Sequence, residues 1–351
     1  MVTPTTETRI PVRTGATLAD VAEAVGLHPS TVSRALDPGR ASMVKAETRE
    51  RVLEAAERIG YRPNLAARSL MTGRTATVAV IAADLGNPWV TPIIHGIASR
   101  MHDDGVVPIV AETDDQPGAL AELVDHMVAR RVDALIVLAG REGDQDVVRS
   151  AGQVVPTVVA ARPLPGAGVG AVISDGKMGG ALVASHLADL GHTHVAQLRG
   201  PSNVLNFPLR SRGFSSVAKA RGLRETHLEM EVTSTKVEDG AALMEHLLAT
   251  TGDDHPTAVF AHNDSMALGA ISVLKRHGLA IPGDVAVAGF NDSPMTEHLT
   301  PGLTTVHYPG WEVGHAAADA ALRLLEGDTS LASIEIDQEL IIRGSTDPTK
   351  A

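Results

Sequence analysis

The chain has 351 residues, no cysteine and a formal net charge of −12. That length provides for two or three domains with ample chain to bury a core. An apolar fraction of 44% with 21% charged residues is that of a soluble globular protein. Without cysteine, disulfides, thiolate zinc sites and cysteine nucleophiles are excluded. No run of roughly 18 apolar residues offers a transmembrane helix. The opening MVTPTTETRIPVRTG lacks the apolar stretch of a signal peptide, so a cytoplasmic protein is expected. The acidity is uneven: residues 1–75 hold 11 Lys and Arg against 8 Asp and Glu, and the remainder 19 against 34. A mildly basic head on an acidic body suits a nucleic-acid reader whose other part stays off the phosphates. Random fluctuation is the competing account of so small an excess.

Residues 17–36, TLADVAEAVGLHPSTVSRAL, predict two short helices. Leu18, Val21, Ala22 and Val25 share one helical face. Thr17 followed three residues on by Asp20 is a capping-box signature for the helix start. Gly26 breaks the first helix, and Pro29 opens the second, where its missing N–H costs nothing. There Val32 and Leu36 are expected to face inward, with Ser30, Thr31, Ser33 and Arg34 outward. Such a pair is either a helix-turn-helix or an ordinary helical hairpin. A third helix is predicted from about Ala46 to Ile59, with Val52, Ala55, Ala56 and Ile59 apolar, ended by Gly60 and Tyr61-Arg62-Pro63. Residues 64–72, NLAARSLMT, form a short helix candidate, too short to be stable alone.

The run from TLADVAEAVG through TRERV to YRPNLAARSLMTGRT resembles the head and hinge of the lactose/galactose repressor family of bacterial transcription regulators. The resemblance divides the chain into a helix-turn-helix domain (1–62), a hinge helix and linker (63–75) and a two-lobed effector-binding and dimerisation domain (76–351). Direct readout needs side chains at the start of the recognition helix, which assigns base contacts to Pro29, Ser30, Thr31 and Arg34. Ser33, Thr48 and Arg49 are better placed for phosphates. By resemblance, positions 29 and 30 set specificity, and Asn64, Ala67 and Leu70 belong to the hinge. Leu70 would be the wedge inserted from the minor groove, or else it packs on the effector domain. A wedge needs a partner copy, so the resemblance implies a homodimer on a near-palindromic operator. One departure is Lys45, where the family usually places a Ser or Asn helix cap.

From Thr77 onward, strands alternate with amphipathic helices. Strands are predicted at TVAVIAAD, VVPIVAET, DALIVLAG, VVPTVVAA, GAVISD, HVAQLRG, TAVFAHND and DVAVAGFND, with a last extended piece at 333–342. Helices are predicted over Pro88–Met101, Gly118–Arg131, Met178–Leu190, 206–222, Ser265–His277 and 309–326. Continuously apolar strands followed by helices imply parallel sheets covered on both faces. The expected fold class is an all-α head joined to an α/β domain of two doubly wound lobes. The resemblance makes this the periplasmic-binding-protein type, with ligand in the cleft between lobes.

Ligands of open α/β sheets sit beyond the carboxyl ends of the strands. Asp84 and Trp89 follow the first strand; Trp89 is placed to stack on a sugar or base face, or to pack between lobes. Arg210, in R-x-x-G-F, matches the family's effector-gripping arginine, and its fork suits vicinal hydroxyls or a carboxylate. Asn263-Asp264 and Asn291-Asp292 end two strands. In each pair the first residue matches a family ligand position, while the acid is a candidate helix cap. Asn291 departs from the aspartate common there. Asp292 and Tyr308 complete the candidate effector set.

No phosphate loop, dinucleotide fingerprint or G-x-S-x-G elbow is present. His192 and His194 lack metal-spaced partners. No catalytic residue, metal or cofactor is therefore assigned. The expectation is a repressor released from its operator by a sugar-type effector, with a purine-like corepressor as the alternative. Two rivals are a non-regulatory sugar-binding protein, opposed by residues 1–74, and a sugar-metabolising enzyme. The tail after Leu340 has no leucine heptads, which favours a dimer over a tetramer.

Overall fold

The computed structural model describes residues 15–62, 69, 73–328 and 333–350. The chain divides between Thr75 and Ala76 into two compact units. The first contains helices α1 (Leu18–Val25), α2 (Pro29–Leu36) and α3 (Ala46–Arg58). Helices this short depend on their ends. Asp20 N–H donates to the Thr17 hydroxyl at 3.3 Å, and Thr17 N–H donates back to the Asp20 carboxylate at 2.7 Å. Donation to the Asp20 carboxylate from the Thr17 N–H, and from the Thr17 hydroxyl at 2.9 Å, holds that carboxyl below the usual range. Gly26 closes α1 with φ at 65°, the left-handed region that glycine enters freely. His28 caps α2, its Nδ1 accepting from Ser30 N–H at 3.3 Å. Arg51 Nη2 reaches from α3 to the Val25 carbonyl at 3.2 Å, satisfying one end of α1.

Val21, Ala22, Val32, Ala35, Val52, Ala55 and Ala56 form the core of this unit. Of the pair on α2 expected to face inward, Val32 is fully buried and Leu36 packs half-buried against the core, and Ala35 is buried beside them. Lys45 precedes α3 without a side-chain cap. The hinge candidates Asn64, Ala67 and Leu70 lie outside the described residues.

The second unit holds two six-stranded sheets. The first contains β1 (Thr77–Ala82), β2 (Val107–Glu112), β3 (Ala134–Val137), β4 (Thr157–Ala160), β5 (Gly170–Ser174) and β11 (Ile334–Ile336), in the order β11-β5-β4-β3-β1-β2. The second contains β6 (His194–Leu198), β7 (Arg224–Thr226), β8 (Ala258–Ala261), β9 (Ala286–Asn291), β10 (Thr304–His307) and β12 (Glu339–Ile341), in the order β12-β10-β9-β8-β6-β7. Helices α4 (Val90–His102), α5 (Ala119–Ala129), α6 (Gln145–Gly152) and α11 (Gly310–Leu325) cover the first sheet. The second is covered by α7 (Gly176–Asp189), α8 (Asn206–Ala220), α9 (Val237–Thr251) and α10 (Asp264–Arg276). The chain passes between lobes at 174–176, 307–310 and 336–339.

Several sequence expectations are corrected. The extended piece at 333–342 is two strands in different sheets, and β12 runs antiparallel to β10. Helices α6 and α9 were not anticipated: α6 buries only Val148 and Ala151, and Gly240 interrupts the helical signal of α9. The helix expected from Met178 begins at Gly176, because the Asp175 carboxylate accepts from Lys177 N–H at 2.8 Å and Met178 N–H at 2.9 Å. Residues 176–180, GKMGG, thus open α7 as helix. The helix expected from Pro88 begins at Val90.

The glycine of R-x-x-G-F has a packing reason. A Cβ on Gly213 would lie 1.9 Å from the Lys177 carbonyl oxygen, and one on Gly180 would lie 2.0 Å from that of Arg210. Helices α7 and α8 therefore touch backbone to backbone. Phe214, fully buried, stacks on Phe260 at 5.4 Å between ring centres. Together these contacts fix the roll of α8 and so the direction of Arg210.

Candidate functional sites

On α2, burial of Val32 and Ala35 turns Pro29, Ser30 and Arg34 outward, with Thr31 and Ser33 half-exposed. The Ser30 hydroxyl is 2.8 Å from His28 Nδ1, so it is shared with the helix cap. Thr48 and Arg49 are half-buried in the first turn of α3, and Arg49 Nε is buried without a hydrogen-bond partner.

In the second unit, the carboxyl ends of strands from both lobes line a cleft of about 530 Å³. Asp84, Trp89, Arg210, Asn263, Asn291 and Tyr308 all line it. Asp292 does not: its carboxylate accepts from Arg343 Nη2 at 2.8 Å and lies 3.1 Å from His307 Nδ1. The Asp84 carboxylate accepts from Gly86 N–H at 2.8 Å, shaping the turn after β1. Trp89 meets Tyr308 edge to face, with ring centres 5.6 Å apart.

Asn263 is the cap of α10. Its Oδ1 accepts from Met266 N–H at 2.8 Å while its Nδ2 donates to the Thr235 carbonyl at 3.0 Å. This reverses the expected assignment of the cap to Asp264. The Asp264 carboxylate is buried behind the cleft, accepting from Ser293 N–H at 2.7 Å and from the Thr305 hydroxyl at 2.6 Å. Burial pushes its pKa up to about 6 despite those bonds.

Arg210 sits at the base of the cleft, 5% exposed, its guanidinium 3.5 Å above the centre of the Phe290 ring. One Nη donates to the His262 carbonyl, and Nε is buried without a hydrogen bond. Burial first, and then the nearby charge of Arg162, lower its pKa to about 9, against the opposing pull of Tyr308 and Asp264. The His262 ring is fully buried and neutral: Nε2 donates to Gln197 Oε1 at 2.9 Å and Nδ1 accepts from Gly200 N–H at 3.3 Å. It thereby anchors the 200–204 loop on the cleft wall. Burial also pushes the Tyr308 phenol up; its hydroxyl makes no hydrogen bond of ordinary geometry.

Sequence reasoning missed another group. Arg162 donates to both Asp115 carboxylate oxygens at 2.7 and 3.0 Å, and Arg141 Nε donates to the same carboxylate at 3.1 Å. All three residues line the cleft, following β4, β2 and β3. Asn206 also lines it, with Nδ2 on the Ala161 carbonyl at 3.0 Å and Oδ1 buried without a partner. Applying the strand-end rule to every strand would have found the Asp115 group. Among the described residues no cluster of His, Asp and Glu is arranged to hold a metal, and no helix is long and apolar enough to cross a membrane.

A three-helix unit with an outward-facing recognition helix, carried on one chain with a two-lobed polar cleft, defines a ligand-binding helix-turn-helix regulator. The model of bacterial regulatory proteins, lacI family, matches residues 17–64, and that of a periplasmic binding protein-like domain matches 184–346. The chain is similar to the HTH-type transcriptional repressor CytR of Escherichia coli strain K12, 30% identical over 335 residues, 95% of this chain and 97% of the relative. It belongs to the lacI family and is a ligand-responsive, sequence-specific DNA-binding transcriptional regulator. Among solved structures, the Lac repressor dimer bound to operator and the anti-inducer ONPF is similar at 27% identity and a TM-score of 0.85, covering 95% of this chain and 99% of that one. The complex of the transcriptional regulator CelR with cellobiose is similar at 28% identity and a TM-score of 0.70, covering 94% and 99%.

Proposed function

We propose that the protein is a cytoplasmic homodimeric repressor, released from a near-palindromic operator by a sugar-type effector bound in the interlobe cleft. Residues 1–62 read the operator, 63–75 form the hinge, and 76–351 bind effector and dimerise. Pro29, Ser30, Thr31 and Arg34 contact bases; Ser33, Thr48 and Arg49 contact phosphates; Asn64, Ala67 and Leu70 act in the minor groove as a pair with the partner copy. Asp84, Trp89, Arg210, Asn263, Asn291 and Tyr308 bind effector, while Asp292 orients the Arg343 and His307 side chains near the cleft.

The observation that carries the reading is the composition of the cleft wall. Side-chain amides and hydroxyls from both lobes, including Asn87, Ser202, Asn203 and Thr233, surround a cavity of about 530 Å³, a chemistry that suits a polyhydroxylated ligand. The cellobiose complex of the similar CelR supports the same class. A purine-like corepressor is the second reading, favoured by the aromatic rings of Trp89 and Phe207 on the wall. Effector that binds the DNA-incompetent state better induces; the reverse preference makes it a corepressor.

The test is operator selection from random duplexes with the full-length protein, followed by titration of sugars and purines into the complex. The reading expects an inverted repeat, and release by a sugar. Tightening by a purine would replace it with the second reading, and turnover of a bound sugar would contradict the assignment of no reaction to the cleft.

A further inference from the structure

The base of the cleft carries a charge imbalance. Three guanidinium groups are packed there: Arg210 is 5% exposed, and the Arg162 and Arg141 side chains 8% and 13%. Among the described residues one carboxylate, that of Asp115, forms ion pairs with them, and the Asp264 carboxylate, buried behind the cleft, acts on Arg210 only through space. It neutralises one charge and is shared by Arg141 and Arg162. Arg210 makes no ion pair among the described residues; its partners are a carbonyl and the Phe290 ring. The other acids of the wall do not offset it. Asp114 and Glu231 are exposed, and Asp84 is turned to the Gly86 N–H.

Burying a guanidinium without a counter-charge is costly, and a neutral ligand that excludes water from the cleft adds to that cost. A ligand carrying its own negative charge reverses the sign, because charge-assisted bonds to a planar guanidinium are strongest where water is excluded. Asn206 Oδ1, buried and without a partner, calls for a donor such as a ligand hydroxyl. Burial lowers the Arg210 pKa to about 9 even against the pull of Asp264, in keeping with a guanidinium that has no direct ion pair.

We infer that the effector is a small hydroxylated anion, a sugar acid or sugar phosphate, whose charged group seats between Arg210 and Arg162. The inference rests on the reading of the cleft as the effector site. Asp115 acts as a positioning residue: its carboxylate holds both arginine forks against the wall and leaves the net positive charge for the ligand.

The test is thermal melting of the full-length protein, at matched ionic strength, with D-gluconate, D-glucuronate and D-glucose 6-phosphate, each compared with D-glucose, and with D-ribose and hypoxanthine as neutral comparators. An acid is expected to raise the melting temperature by about 5 °C or more at a hundredfold excess over its Kd, and its neutral parent far less. The carboxylate and phosphate members distinguish the two sources of charge. The shift should vanish in Arg210→Met and shrink in Arg162→Gln, which leaves the Asp115–Arg141 pair in place. If no acid shifts the melt, if an acid does no better than its neutral parent, or if only a neutral comparator acts, the inference is overturned. Operator selection on the same preparation separates the outcomes: retained recognition of an inverted repeat leaves the regulator reading standing when the charge inference fails.

Discussion

The recognition helix and the cleft both offer arginines to a ligand, but in opposite surroundings. Arg34 stands in water on a unit whose core is seven small side chains. Arg210 is enclosed by Phe207, Phe290 and helices in backbone contact. Exposed charges act through a screened field, so their loss is graded and salt-dependent. Buried charges act through fixed geometry, so displacement of the scaffold removes them outright. The difference teaches that mutations far from the chemistry should matter in the cleft, and that ionic conditions should matter in the helical unit.

The largest effect should come from the scaffold behind Arg210. Gly213→Val places a side chain where a Cβ already lies 1.9 Å from a carbonyl oxygen, forcing α7 and α8 apart. We expect a loss of about 3 kcal/mol or more in thermal or urea unfolding, together with loss of effector response. A neutral outcome would mean that the R-x-x-G-F packing does not govern the arginine.

Next, Leu70→Ala, at a position outside the described residues, should weaken operator binding far more than nonspecific binding in parallel titrations. Equal losses would remove the wedge. The two arginines of the helical unit should then separate by readout. Arg34→Ala should cost about 1–3 kcal/mol of discrimination between operator and mutated sites. Arg49→Ala should leave discrimination intact and flatten the slope of log K against log salt by about 1. Reversed results would exchange their roles.

The smallest effect is a pH dependence. Burial pushes the Asp264 pKa in the folded protein up to about 6, against an ordinary aspartate value of 3.8. The folded state therefore binds a proton that the unfolded state has released, and stability falls as pH rises from near 4 through 6. Asp264→Asn should flatten that fall in denaturant titrations across the window. An unchanged slope would place the titration elsewhere.

These contrasts also explain what was legible in the sequence. The Thr17–Asp20 box, Gly26 and Pro29 act within a few residues, so local pattern displayed them. On α2, Ala35 joins Val32 inside the core while Leu36 packs against its edge, because contacts with the neighbouring helices, and not the period of α2 alone, set how deeply each position is buried. In the cleft, Arg210 was found through its motif and the family likeness. The Asp115 group was not, since Arg141 and Arg162 lie 26 and 47 residues from Asp115 and only strand order unites them. Asn263 and Asp264 are equally good cap types by sequence. Their roles are decided by Ser293 and Thr305, 29 and 41 residues from Asp264. The cleft membership of Asp292 failed for the same reason, Arg343 being 51 residues away.

The central claim is that one chain couples operator recognition to occupancy of the cleft. Fluorescence anisotropy of a selected inverted-repeat duplex, titrated with full-length protein with and without the ligand found by melting, tests it most directly. The account predicts tight, salt-dependent binding that exceeds binding to random duplex and shifts by tenfold or more, about 1.4 kcal/mol, when ligand is added. Equal affinity for both duplexes, or operator affinity indifferent to saturating ligand, would contradict it.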